Sequence, residues 1–221
     1  MSGKKPGFFK RNGLSIVFLL LTVLSIAGQS YYGWEEYNDF LKEHGQPASS
    51  FSRYFITGHF LQATFENWES EFLQMALFVI LTVFLRQEGS SESKKLEDPE
   101  METSDLKVLK HSPWPVKKGG PWLTFYKYSL SIVLFLLFIA CFLLHWYGSW
   151  IDYNEKQILD QKATIAFLPY LAKSKFWFES FQNWQSEFLS IFAIVYLSIY
   201  LRHWGSPQSK PVNAAHKFTK G

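Results

Sequence analysis

Four runs of nearly unbroken apolar residues alternate with long polar stretches along the chain. They are Leu14–Gly28 (LSIVFLLLTVLSIAG), Phe72–Leu85 (FLQMALFVILTVFL), Leu130–Leu144 (LSIVLFLLFIACFLL) and Phe188–Leu201 (FLSIFAIVYLSIYL). Each has 14 or 15 residues, short of the ~20 that a helix needs to cross a bilayer. Their flanks supply the rest, which predicts spans at about 12–31, 66–86, 127–147 and 182–202. The second and fourth spans must then take in a polar-aromatic segment on their N-terminal side. Tyr31, Tyr32, Trp34, Trp68, Trp122, Tyr126, Tyr128, Trp146, Tyr147, Trp150, Trp184 and Trp204 cluster at the ends of the runs, where amphipathic rings favour the headgroup zone.

The chain is written twice. FENWESEFL at Phe65–Leu73 returns as FQNWQSEFL at Phe181–Leu189, and the same offset of 116 aligns Leu14–Ser90 with Leu130–Ser206 without a gap, at 26 identities in 77 positions. Taken alone, the first run with its basic lead (Lys4, Lys5, Lys10, Arg11) also fits a secretory signal. Its partner run lies in mid-chain, however, and two matching halves most simply use matching spans. With four spans, both termini and the linker share one side. That side holds 16 of the Lys and Arg residues and the other holds 6, which places both termini in the cytoplasm by the positive-inside rule. An even number of spans per copy inserts both copies the same way up. The fold class is therefore all-α integral membrane: four transmembrane helices as two tandem, parallel two-span repeats about a pseudo-two-fold axis along the membrane normal.

The domain organisation follows: a first repeat over 1–90, a polar linker over 91–121, a second repeat over 122–206 and a tail over 207–221. The Ser, Glu, Lys, Pro and Gly content of Gln87–Pro121 predicts a mostly disordered cytoplasmic connector. On the outer side, span one is expected to continue as a helix to about Lys42, where Gly45 and Pro47 end it. A second short helix is expected from about Ser50, and again from about Thr164. Their shared aromatics (Phe51, Tyr54 and Phe60 with Phe167, Tyr170 and Phe176) predict small packed helical caps on the outer leaflet.

Composition narrows the picture further. A net charge of +3, with the basic residues scattered rather than gathered on one face, gives no reason to expect nucleic acid. The single cysteine, Cys141, lies in an apolar run and excludes an intramolecular disulfide or a cysteine cluster. It reads as a buried structural thiol. No motif names a reaction, so no enzyme and no cofactor are expected. The partners expected are the lipid bilayer, a second copy of the chain in a homo-oligomer, and a cytoplasmic protein held through the linker.

One segment offers chemistry. On a helix, Asn67, Ser70 and Glu71, followed by Gln74, share a face, as do Asn183, Ser186 and Glu187 in the second copy. Glu71 lies 15 residues before Arg86, ~22 Å along a helix, near the outer hydrocarbon boundary, where a carboxylate must be paired or hydrated. If the two stripes face each other, Glu71 and Glu187 form a pair that shares a proton or a cation. The competing reading is that Asn and Ser hydrogen-bond the helices together and Glu favours the helix N-terminus. Catalysis is the weakest alternative, because no base–nucleophile pair recurs. His59 aligns with Lys175 and His145 with Gln29. Neither histidine is shared by the copies, so both are set aside as parts of a symmetric site. His59 with Glu66 or Glu71 remains the weak candidate for a metal site in the first half.

The basic N-terminus with GQSYYGWEEYN, ITGHFLQATFENWESEFLQM and VFLRQEGSSESK resembles a family of small bacterial integral membrane proteins catalogued as a domain of unknown function. The resemblance spans nearly the whole chain and is most specific at FENWESEFLQM. It implies a bacterial plasma-membrane protein and transfers no activity or site residue. The functional expectation is thus a multi-pass membrane protein that binds or conducts a cation or proton through the stripes of spans two and four, or else a structural or interaction protein of the bacterial envelope.

Overall fold

The structure is a computed structural model that describes residues 7–95 and 108–219. Eight helices and no strand occur among the described residues: α1 (Phe8–Glu43), α2 (Phe51–Tyr54), α3 (Gly58–Phe84), α4 (Trp114–Lys118), α5 (Gly120–Lys127), α6 (Ser129–Leu159), α7 (Phe167–Tyr170) and α8 (Ser174–Tyr200). Two of them, α1 and α6, are long and apolar enough to cross a bilayer. Their apolar side chains, Leu19, Leu20 and Leu24 on α1 and Leu136 and Leu143 on α6 among them, are mostly exposed. Side chains of this kind stay out of water only if lipid covers them, which points to membrane association.

Helix ends recur at the offset seen in the sequence. α2 and α3 begin and end 116 residues before α7 and α8, and α1 ends 116 residues before α6. The stop signals explain why. After α1 the chain turns at Gly45 with φ 68°, as Gly readily does, and Gln46 N–H returns to the Leu41 carbonyl. After α6 the same turn falls on Gln161 at φ 57°, the one non-Gly residue with positive φ among the described residues. Lys162 N–H then returns to the Gln157 carbonyl.

The chain divides into two compact units, residues 1–63 with 147–167 and residues 64–146 with 168–221. In the first, two matching clamps fasten each loop to the helix before it. Trp34 Nε1 and Asn38 Nδ2 both donate to the Ser49 carbonyl, while Ser49 N–H donates to Asn38 Oδ1. Trp150 Nε1 and Asn154 Nδ2 both donate to the Ile165 carbonyl, while Ile165 N–H donates to Asn154 Oδ1. Phe51 and Phe167 meet the two indoles edge-on, at 5.7 and 5.4 Å between ring centres. Tyr37, Leu41 and Tyr54 form a small core beside Trp34, Phe40, Phe60 and Leu159. Close packing in this unit requires Gly148, where an added Cβ would lie 2.6 Å from the Gln62 backbone nitrogen.

In the second unit, Gln74 on α3 reaches α8, donating to the Glu187 carbonyl (2.8 Å) and to Ser190 Oγ (2.7 Å). Arg86 and Arg202 fold back to cap the last carbonyls of α3 and α8. One sequence expectation changes here. The start of the linker is not loose: Gln87 N–H donates to Ser93 Oγ, and Ser90 pairs with Ser198 of α8. Its C-terminal end forms α4 and α5, while 96–107 lies outside the described residues. The tail is not loose either. The buried Lys210 ammonium donates to the carbonyls of Ile199 and His216, and Thr219 Oγ1 accepts from Gly89 N–H. Composition reports polarity, and a short polar strand can still be held by helix-end carbonyls that need donors.

Candidate cation site

His145 sits on α6 at the end of the run LFLLFIACFLL and is fully buried in the second unit. Phe176 of α8 stacks against its ring at 4.7 Å between centres and 29° between planes. Its Nδ1 lies 2.8 Å from Glu69 Oε2, and Glu69 of α3 is likewise fully buried. The other Glu69 oxygen accepts from Trp184 Nε1 at 2.9 Å. Glu69 is thus held from both sides. An ionised carboxylate only accepts, so the proton of this hydrogen bond belongs to Nδ1, and Nε2 is the nitrogen that offers a lone pair when the ring carries a single proton.

That Nε2 is buried and has no hydrogen-bond partner. It faces two further carboxylates: Glu66 Oε2 and Glu179 Oε2 each lie 3.8 Å away. One ligand atom from each of Glu66, His145 and Glu179 lies within 4.8 Å of the others. Lys175, one turn before Glu179 on α8, approaches it at 3.5 Å. Three helices therefore converge on the point. Glu66 and Glu69 come from one face of α3 at a spacing of three, His145 from α6, and Glu179 and Trp184 from α8. A carboxylate-oriented imidazole facing two more carboxylates is a donor set for a cation.

The sequence-predicted stripe residues lie elsewhere. Ser70 is buried, and its hydroxyl donates back to the Asn67 carbonyl at 2.7 Å. Ser186 does the same to Asn183, at 2.8 Å. Asn183 Nδ2 donates to the Glu179 backbone carbonyl at 3.2 Å. Asn67 and Glu71 are exposed and Glu187 is half-buried. The inter-helix bridge in this stripe is made by Gln74. His59 is in the first unit, where its Nδ1 pairs with the Tyr54 hydroxyl at 2.9 Å. Burial pushes the Tyr54 phenol up to about 12, so it keeps its proton and donates. Burial likewise holds the His59 imidazole below its ordinary value.

The cluster does not follow the internal repeat. His145 is the centre of the cluster, and every charged member occupies a position where the two halves disagree. At the offset of 116, His145 faces Gln29, Glu66 faces Gln182, Glu69 faces Gln185 and Glu179 faces Ala63. The signal was present in the sequence all the same. His145 directly follows the apolar run Leu130–Leu144, and Glu66 and Glu69 are one helical turn apart.

The chain belongs to a family described as a domain of unknown function (DUF6766), whose model matches residues 5–221. No curated protein and no solved structure matches it.

Proposed function

We propose that this chain, as a member of a family with no assigned activity, is a four-span bacterial plasma-membrane protein with both termini in the cytoplasm, and that it binds a cation at the His145 cluster. Recurring helix ends and duplicated clamps support two copies of one two-span unit, and the excess of Lys and Arg on the linker side supports the orientation. In that orientation His145 lies 16 residues after the start of α6 at Ser129 and Glu69 lies 15 before the end of α3 at Phe84, ~24 and ~22 Å along their helices. Both values put the cluster at the outer edge of the hydrocarbon, within reach of ions outside the cell. α3 and α8, at 27 residues each, are long enough to span despite the acidic residues near their outer ends.

One observation carries the cation reading: a fully buried imidazole, fixed by a buried carboxylate, aims a nitrogen with no hydrogen bond at two more carboxylates. Charges at this depth are costly unless balanced. The test is thermal unfolding of the purified protein across a panel of Na+, K+, Mg2+, Ca2+ and Zn2+, beside Glu66→Gln plus Glu179→Gln. At least one cation should stabilise wild type and leave the variant unmoved. No differential shift with any cation would sink the reading.

A second reading, a structural or interaction protein of the envelope, rests on the Gln74 bridge and the clamped outer loops, which are polar contacts of a purely cohesive kind. A partner that co-purifies with wild type and is lost when the linker is replaced by a Gly/Ser sequence would favour it.

A further inference from the structure

We infer that the ion is a divalent first-row transition metal of the Zn2+ type, one per chain, ligated by His145 Nε2 and one oxygen each of Glu66 and Glu179. This rests on the cation reading above and names its ligand class.

The donor set decides against hard ions. Mg2+ and Ca2+ are bound through oxygen, whereas an imidazole with carboxylates suits zinc and its neighbours. The orientation of the imidazole is prepared in advance. Glu69 fixes Nδ1, Trp184 fixes Glu69 and Phe176 fixes the ring plane, which is the outer-shell arrangement that raises ligand basicity at histidine metal sites. Distances allow it. Three atoms no more than 4.8 Å apart share a centre within about 2.8 Å of each, so shifts of well under an ångström bring all three to the ~2.0–2.2 Å of zinc–nitrogen and zinc–oxygen bonds.

Charge favours it as well. With a neutral imidazole, Glu66, Glu69 and Glu179 against Lys175 leave two negative charges among these groups. A divalent ion cancels them, and a neutral assembly costs least in a low dielectric. Three protein ligands leave a coordination position for water or for a ligand arriving from outside. The stoichiometry follows from the sequence. The counterpart positions carry Gln29, Gln182, Gln185 and Ala63, three neutral amides and a methyl, so the other half has no second set of charged ligands.

The experiment uses the full-length protein in detergent, stripped with a chelator, reloaded separately with Zn2+, Mn2+, Mg2+ or Ca2+, and counted by elemental analysis. One Zn2+ per chain should be retained, and it should not be displaced by millimolar Mg2+ or Ca2+. Co2+ in its place should give the visible absorption of a four- or five-coordinate site, a readout that needs no variant. His145→Gln, or Glu66→Gln with Glu179→Gln, should weaken retention at least 100-fold. Glu69 is a positioning residue, and Glu69→Gln should weaken affinity ~10–100-fold while keeping the count at one. Gln185→Ala should change nothing. Wild type that retains no transition ion, or two per chain, or that yields Zn2+ to Mg2+, overturns the inference. If the wild-type chain is stabilised by Na+ or Ca2+ alone through Glu66 and Glu179, this inference fails while the cation reading stands. If no cation acts through them, both fail.

Discussion

The clamps and the cluster treat the internal repeat in opposite ways. At the clamps, Trp34 and Asn38 are matched by Trp150 and Asn154, and each pair holds one loop residue by the same three hydrogen bonds, two to its carbonyl and one from its N–H. At the cluster, four charged or titratable residues stand opposite three glutamines and an alanine. What the halves share builds the fold, and what they do not share carries the charge. A duplicated helical pair needs its clamps twice, because each loop must satisfy its own backbone groups. The buried charged cluster occurs once, and a second set of buried carboxylates would add a second desolvation cost.

Removing Glu69 breaks this contrast hardest. Glu69→Ala leaves His145 Nδ1 and Trp184 Nε1 without their acceptor in a buried place, at a cost of ~3–5 kcal/mol. Its counterpart Gln185 is exposed, so Gln185→Ala should stay within ~0.5 kcal/mol. Unfolding of the two variants in detergent by denaturant gives both numbers. Equal costs would mean that the two positions do the same structural work.

The clamps make the reverse prediction. Asn38→Ala and Asn154→Ala each delete a side chain that both donates to and accepts from one loop residue, so each should cost ~1–3 kcal/mol. The two costs should agree within ~0.5 kcal/mol, since each amide meets the same two backbone atoms of its loop residue. A difference above 1 kcal/mol, measured by the same denaturant titration, would show that the halves are not equivalent even where their residues match.

Much of the fold was legible because it depends on period and punctuation. The apolar runs, Gly45 with Pro47, and the NWxSEF echo gave the helices and the end of α1 to within a few residues. The short helices α2 and α7 were anticipated from their aromatics, although α3 and α8 begin about eight residues before the predicted spans, at Gly58 and Ser174. The ordered tail was not legible, because Lys210 finds the Ile199 carbonyl through folding and not through any local pattern. The cluster was half legible. Glu66, Glu69 and Trp184 all lie in the conspicuous segments, but the identities between the copies favour Glu71 and Glu187. Which face of α3 turns toward His145 depends on helix rotation, and polar residues do not fix that rotation when Glu66, Asn67, Glu69, Ser70 and Glu71 spread over more than half of the helix circumference.

The two histidine positions extend the contrast to pH. His59, whose counterpart is Lys175, is held below its ordinary value by burial among Tyr54, Asp152, Lys156, Glu36 and Glu155. It therefore takes up a proton less readily in the folded chain than in the unfolded one. Its contribution to stability is fully present above the ordinary value of 6.5 and is lost as the pH falls from there through the lower folded value. Stability followed from pH 7.5 to 5 should decline in wild type, and the decline should be shallower in His59→Gln. The same slope in both would place the proton uptake elsewhere.

The smallest effect is at the turn after each long outer helix. Gly45 takes a positive φ at little cost, while Gln161 takes nearly the same angle with a side chain. A non-Gly residue there is strained by roughly 1 kcal/mol. Gln161→Gly should therefore stabilise the protein by ~0.5–1 kcal/mol, less the added freedom of the unfolded chain. Gly45→Ala should destabilise it by about as much. Together the two substitutions sharpen the comparison, because they exchange glycine and a residue with a side chain at the matching positive-φ positions. If Gln161→Gly is neutral while Gly45→Ala is costly, the second turn has relaxed around its glutamine and the likeness of the two halves is one of path alone.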